Sequence, residues 1–269
     1  MSPHSSDAGP VIAAEDTFAG TEAVADDLSR MSILDHLDEF RRRLLYSIYA
    51  VVACSFVTFW YWEPMLRYLI RYFQANLGEG ALIYSRPTAG FMMSLQISVL
   101  VALLLASPFV LSQFWMFVAP GLYAKEKRIA IPFVFFSTLL FVGGAMFAHF
   151  VAYPLMWKFF ASYQMEGMRF LPTLDDSFSF YVKMILGLGL VFEMPMLVYV
   201  LARFGLVSAG FLIRNMKYAI LAIFIIAAVA TPSSDVVNQT VFAAPMFVLY
   251  LISIGVAWLF GKKKTPVEE

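Results

Sequence analysis

Six apolar runs, at about residues 44–62, 89–118, 130–156, 177–202, 217–231 and 237–260, recur along the chain without period-2 alternation. Most reach or exceed the ~20 residues that a helix needs to cross about 30 Å of hydrocarbon. Inside lipid every backbone N–H and C=O must be satisfied within the protein, so runs of this kind fold as helices. Composition agrees. The chain is 61% hydrophobic and 14% charged, with a mean hydropathy of +0.74. A soluble domain of this length with so little charge would expose large apolar patches. The expectation is an all-α, polytopic membrane protein with six transmembrane helices.

The remaining segments organise around these runs. Residues 1–31 are small, polar and mildly acidic, without the basic start and apolar centre of a secretory signal, and are expected as a mobile tail. The six-span domain is expected over 32–260 and a short tail over 261–269. Ser32 offers a helix cap with Asp35 three positions on. Ile33, Leu37, Phe40 and Leu44 share one helical face, and the other carries Asp38–Arg42 and Glu39–Arg43 at i,i+4, acid first. Between the first two spans, Pro64 opens a stretch whose apolar spacing suits a short interfacial helix. Trp60, Tyr61 and Trp62 crowd its start, as aromatic residues do at a headgroup boundary. With the amino terminus inside, thirteen of the nineteen lysines and arginines fall on inner segments, which predicts that both termini are cytoplasmic.

Several function classes lose their footing. Positive and negative residues balance at nineteen each, so no bulk attraction to nucleic acid is indicated. The single cysteine, Cys54, lies in the first apolar run, and His4, His36 and His149 are too scattered for a metal pattern. Gly261-Lys-Lys-Lys lacks the upstream glycine of a phosphate-cradling loop. No catalytic residue and no cofactor is implied. An intramembrane protease would need a pair of aspartates or a serine–histidine arrangement that no span offers.

What stands out is Glu193, deep in the fourth apolar run and followed by Pro195. A carboxylate there costs about 2.5–3.5 kcal/mol on insertion scales. It is either a functional group or an acid bonded to neighbouring backbone. A secondary transporter using Glu193 as its coupling site is the alternative function, although no internal repeat supports it. Pro108, Pro132, Pro154 and Pro245 also interrupt spans, so kinked helices are expected. The fifth run stops at Thr231-Pro232 after only about 20 Å of helix, so the two C-terminal spans read as a short hairpin with Asn238 and Gln239 near its tip. Glu126 sits among Lys125, Lys127 and Arg128. On local grounds it is either a binding group or a charge balance.

Four segments in this order resemble the TatC family, the receptor subunit of the twin-arginine protein translocase. They are His36-Leu-Asp-Glu-Phe-Arg-Arg-Arg-Leu, Gln113-Phe-Trp-Met-Phe-Val-Ala-Pro-Gly-Leu-Tyr-Ala-Lys-Glu-Lys-Arg, Phe192-Glu-Met-Pro and Thr231-Pro-Ser-Ser-Asp-Val-Val-Asn-Gln. The resemblance covers about residues 31–260. It implies a cup-shaped six-helix fold in the bacterial cytoplasmic membrane that recognises signal peptides bearing paired arginines. It also implies a multimeric complex with TatA-type and TatB-type single-span proteins that exports folded cargo with the proton-motive force. By the same resemblance the arginine pair would be read by Glu39 and Glu126, with Arg41, Arg43 and Phe117 shaping that surface. Glu193, Thr231 and Gln239 would face partner helices, and Pro64 and Asp235 would match outer-loop positions. Phe40 replaces the usual leucine, and Val236 follows Asp235 where proline is frequent.

Overall fold

The computed structural model describes residues 15–77, 82–83, 86–118, 127–162, 171–230 and 236–261, with side chains from Asp35 onward except at 127–130, 230, 237 and 238. The chain divides into two units, Met1–Tyr46 and Ser47–Glu269. Helix α1, Glu15–Phe59, supplies the described part of the first unit and the opening of the second. Residues 15–31, expected within a mobile tail, are therefore helical, and Ser32 is an interior helix position, not a cap. The reason is local. Glu15 and Asp16 suit the positive end of a helix dipole, and Ala19, Glu22, Ala23, Ala25, Leu28 and Arg30 are strong helix formers that outweigh Gly20.

Among its described residues, the regular structure of the second unit is helical apart from a single parallel bridge, Ile83 to Thr173. After α1 come α2 (Trp62–Leu77), α3 (Ala89–Val118) and α4 (Lys127–Phe147). A π-helical turn at Ala148–Ala152 leads into α5 (Tyr153–Ser162), then α6 (Leu174–Phe192), α7 (Met194–Arg203), α8 (Ala209–Arg214), α9 (Met216–Ala230) and α10 (Val236–Phe260). Among the described residues, five stretches are long and apolar enough to cross a membrane, namely Asp35–Phe59, Ala89–Val118, Ile131–Ser162, Leu174–Arg203 and Gln239–Phe260. Met216–Val229 makes a shorter sixth. Only the fifth span is short, therefore. The sixth reaches 25 residues because Pro245 is accommodated inside the helix.

Two prolines shape the bundle by the same physics. Pro154 has no N–H to donate, and its ring crowds the carbonyl four residues back. The chain answers with the π-helical turn at 148–152 and continues as helix to Ser162, beyond the expected end near 156. Pro195 likewise sits in the first turn of α7, and the fourth span breaks at Glu193. Thr173 caps α6, accepting from the Asp176 N–H at 3.1 Å and donating its hydroxyl to the Asp176 carboxylate at 2.6 Å. The adjoining bridge, with the Leu174 N–H on the Ile83 carbonyl at 3.0 Å, draws the starts of α3 and α6 to the same end of the unit.

The core lies where the third and fourth spans cross. A Cβ on Gly144 would stand 2.6 Å from the Leu188 carbonyl oxygen, and one on Gly189 would stand 2.9 Å from the Phe141 ring. Backbone therefore approaches backbone, the way membrane helices gain packing without a hydrophobic driving force. At the end where α3 and α6 begin, a second layer of aromatic side chains (Phe73, Tyr153, Trp157, Phe178) is fully or nearly fully buried and pins α2 onto the bundle.

Candidate functional site

Breaking the fourth span at Glu193 turns that carboxylate inward, and it is 8% exposed. Trp115 of α3 and Ser137 of α4 meet it there. The indole N–H can only donate, and it bonds the Ser137 hydroxyl oxygen at 2.8 Å. The serine proton is thereby directed onward to Glu193 Oε2, 2.7 Å away. Trp115 and Ser137 are themselves almost fully buried, and Phe133 packs edge-on to the indole at 5.1 Å. The other carboxyl oxygen, Oε1, is buried and has no hydrogen-bond partner among the described residues. Leaving such an oxygen unpaired costs about 1–3 kcal/mol, so this centre has one unmet demand, for a donor.

Gln239 lies on α10. Its side-chain amide donates to the Phe224 carbonyl of α9 at 2.7 Å, clamping the short fifth span to the sixth. Thr231, expected beside it, lies outside the described residues, as does Asp235. Pro64 occupies the first turn of α2, where a missing N–H carries no penalty. Beside it Glu63 pairs with Arg67 at 2.5 Å on an exposed surface.

In the first unit, Glu39 and Arg43 form the i,i+4 pair their spacing predicts. Arg43 Nε and Nη2 reach Glu39 Oε1 at 2.9 and 2.5 Å, with the two side chains 27% and 20% exposed. Both bonds land on one oxygen, so Oε2 points its lone pairs elsewhere. Arg41 is exposed on the same helix. In the second unit, Phe117 is half-buried in the last turn of α3. Glu126 lies outside the described residues.

Sequence reasoning passed over two constellations. One is the Trp115–Ser137 pair, whose signal was only a serine and a tryptophan within apolar runs. The other surrounds His149, on the π-helical turn. Tyr68 of α2 meets the imidazole Nε2 at 3.0 Å and Tyr181 of α6 meets Nδ1 at 2.9 Å. The Tyr72 ring stacks on the imidazole at a centroid distance of 4.2 Å, and its hydroxyl donates to the His149 carbonyl. Burial, with the Tyr181 and Tyr68 phenols beside it, pushes the Tyr72 phenol above its ordinary range, so it remains a donor. Each tyrosine hydroxyl both donates and accepts, so a neutral imidazole is satisfied in either tautomer. The cluster clasps α2 to the third and fourth spans.

This architecture is found in known proteins. A family model described as Sec-independent protein translocase protein (TatC) matches residues 35–245. The TatC protein of Koribacter versatilis is 43% identical over 241 residues, covering 88% of each chain. That of Desulforapulum autotrophicum is 40% identical, covering 87% of each, and that of Aquifex aeolicus is 36% identical over 89% of this chain and its own full length. A crystal structure of the twin-arginine translocase receptor TatC superposes with a TM-score of 0.72 at 36% identity, covering 82% of this chain and 97% of the other. With the six-span fold and these matches together, the chain belongs to the TatC family of Sec-independent protein translocase proteins.

Proposed function

We propose that this chain is the receptor for signal peptides carrying adjacent arginines, and the scaffold on which a translocase for folded proteins assembles in the bacterial cytoplasmic membrane. Its termini face the cytoplasm, its partners are single-span proteins of the TatA and TatB types, and the proton-motive force drives export. The observation that carries the reading is the Glu39–Arg43 fork. A half-buried carboxylate that already holds one guanidinium through two N–H donors is chemically suited to exchange it for another. Glu126 supplies the second carboxylate. A guanidinium presents a rigid donor fork, whereas lysine offers a point charge, so two acids discriminate an arginine pair from a lysine pair. Arg41 and Arg43 keep the surface from accepting basic segments that cannot displace them.

Glu193 takes a different part. A partner helix that opens this part of the bundle supplies the donor that the buried Oε1 lacks among the described residues, and Gln239 positions the neighbouring hairpin for the same contact. Signal reading and helix docking thus use separate residues.

The test is peptide affinity. Each partly exposed arginine–carboxylate contact is worth about 1.4 kcal/mol, so Glu39→Ala and Glu126→Ala each weaken binding of an arginine-pair peptide roughly tenfold. Wild type loses a similar factor when the peptide's arginines become lysines. Undiminished affinity in both variants rejects the assignment.

A further inference from the structure

A third polar constellation shares no residue with the Glu193 and His149 centres. Between α3 and α6 runs a groove of about 450 Å³, and Gln96, Ser179 and Lys183 all line it together with Leu100, Leu103 and Leu186. The starts of α3 and α6 lie at one end of the unit, drawn there by the Ile83–Thr173 bridge. At 1.5 Å per residue, Ser179, Gln96 and Lys183 lie roughly 8, 10 and 13 Å from those starts. Leu100, Leu103 and Leu186 lie deeper. Polar groups therefore sit in the half nearer the membrane surface, and the apolar half continues toward the bilayer centre.

Lys183 is the group that needs explaining. It is exposed on the outside of a transmembrane helix, where an ammonium is costly unless paired. The acids on its own helix do not serve it. Asp176, two turns toward the surface, has its carboxylate on the Thr173 hydroxyl, and no ion pair to Lys183 occurs among the described residues. A cation, an amide and a hydroxyl over an apolar trough complement a ligand with an anionic, hydrogen-bond-accepting head and a hydrocarbon tail.

We propose that this groove is a binding site for an anionic phospholipid of the leaflet nearest α2, with its phosphodiester on Lys183, Gln96 and Ser179 and one acyl chain along Leu100, Leu103 and Leu186. The lipid neutralises the ammonium and fills the cleft between the second and fourth spans. Charge complementarity favours this occupant over a zwitterionic lipid, whose own cation offsets the phosphate. The apolar half favours it over a soluble anion.

The full-length protein is incorporated into bilayers of equal parts phosphatidylglycerol and phosphatidylcholine with identical acyl chains, and the retained lipid is quantified by native mass spectrometry. Wild type retains phosphatidylglycerol over phosphatidylcholine by at least roughly fivefold, the scale of one lysine–anionic lipid contact. Lys183→Met brings the ratio to that of the bilayer, Lys183→Arg restores it, and Gln96→Leu lowers it in part. Melting in pure phosphatidylcholine is the same for all four proteins, which separates lost binding from lost folding. Inorganic phosphate at millimolar concentration leaves the retained lipid in place. An unchanged ratio in Lys183→Met overturns the proposal, as does displacement by phosphate. Loss of a single-span partner from Lys183→Met with lipid retention intact assigns the groove to a helix instead and overturns it equally.

Discussion

Glu193 shows how far one residue can be understood from each side. Its cost in an apolar run marks it from sequence alone, yet nothing in periodicity pairs it with Trp115 and Ser137, which lie on other spans. Those partners are set by tertiary packing, and the donor-only indole then fixes the direction of the whole chain of bonds. Ser137→Ala removes the serine hydrogen bond to Oε2 and takes the hydroxyl acceptor away from the indole N–H. Thermal unfolding in detergent should show a loss of about 1–3 kcal/mol. Glu193→Ala should reduce copurification of a single-span partner while arginine-pair peptide affinity holds. The opposite pattern, peptide affinity lost and partner retained, would move Glu193 out of the helix-docking role. Glu39 and Arg43 were the easiest contact to read, because i,i+4 neighbours on a helix meet whatever the rest of the fold does.

At the scale of helices, apolar length carries most of the information and proline carries the rest imperfectly. The second span is helical from Ala89 to Val118, the full extent of its apolar run. The break at Glu193 follows from Pro195. The response to Pro154 did not follow from sequence, since a proline can kink, break or widen a helix, and here it widens a turn and places His149 between two tyrosines. The amino-terminal helix was missed for a different reason. A polar, acidic segment without an apolar stripe reads as tail, although its backbone propensity favours helix. Packing of the third span on the fourth can be tested with adjacent glycines. A Cβ at Gly144 meets the Leu188 backbone oxygen at 2.6 Å, while one at Gly143 meets nothing within 4 Å. Gly144→Ala should destabilise by about 1–3 kcal/mol through overpacking. Gly143→Ala should be neutral or stabilise by a few tenths up to about 1 kcal/mol, as removal of helix glycine does. Equal effects at the two positions would mean that the close approach is not a real feature of the bundle.

For the whole molecule, the six membrane helices were legible because five runs reach the length that bilayer thickness imposes and the shorter fifth is as apolar as they are. The rim was not, because loops follow turn chemistry and partners more than hydrophobic pattern. Glu126, Thr231 and Asp235, expected at the rim, lie outside the described residues. Sidedness rests on the placement of lysine and arginine, and it is open to direct measurement. In a Cys54→Ser background, an impermeant thiol reagent applied outside intact cells should label Gln164→Cys but neither Ser6→Cys nor Thr265→Cys. Labelling of either terminal position would reverse the orientation and put Glu39 on the wrong side to meet a cytoplasmic peptide.

In the proposed receptor, two carboxylates read one arginine pair. Photoreactive residues placed at Glu39 and at Glu126, one at a time, should each crosslink to positions flanking the arginines of the same signal peptide. Replacing the peptide's arginines with lysines should weaken both crosslinks by roughly tenfold at subsaturating peptide. Crosslinking from one position only, or from both irrespective of the arginines, would contradict the shared site.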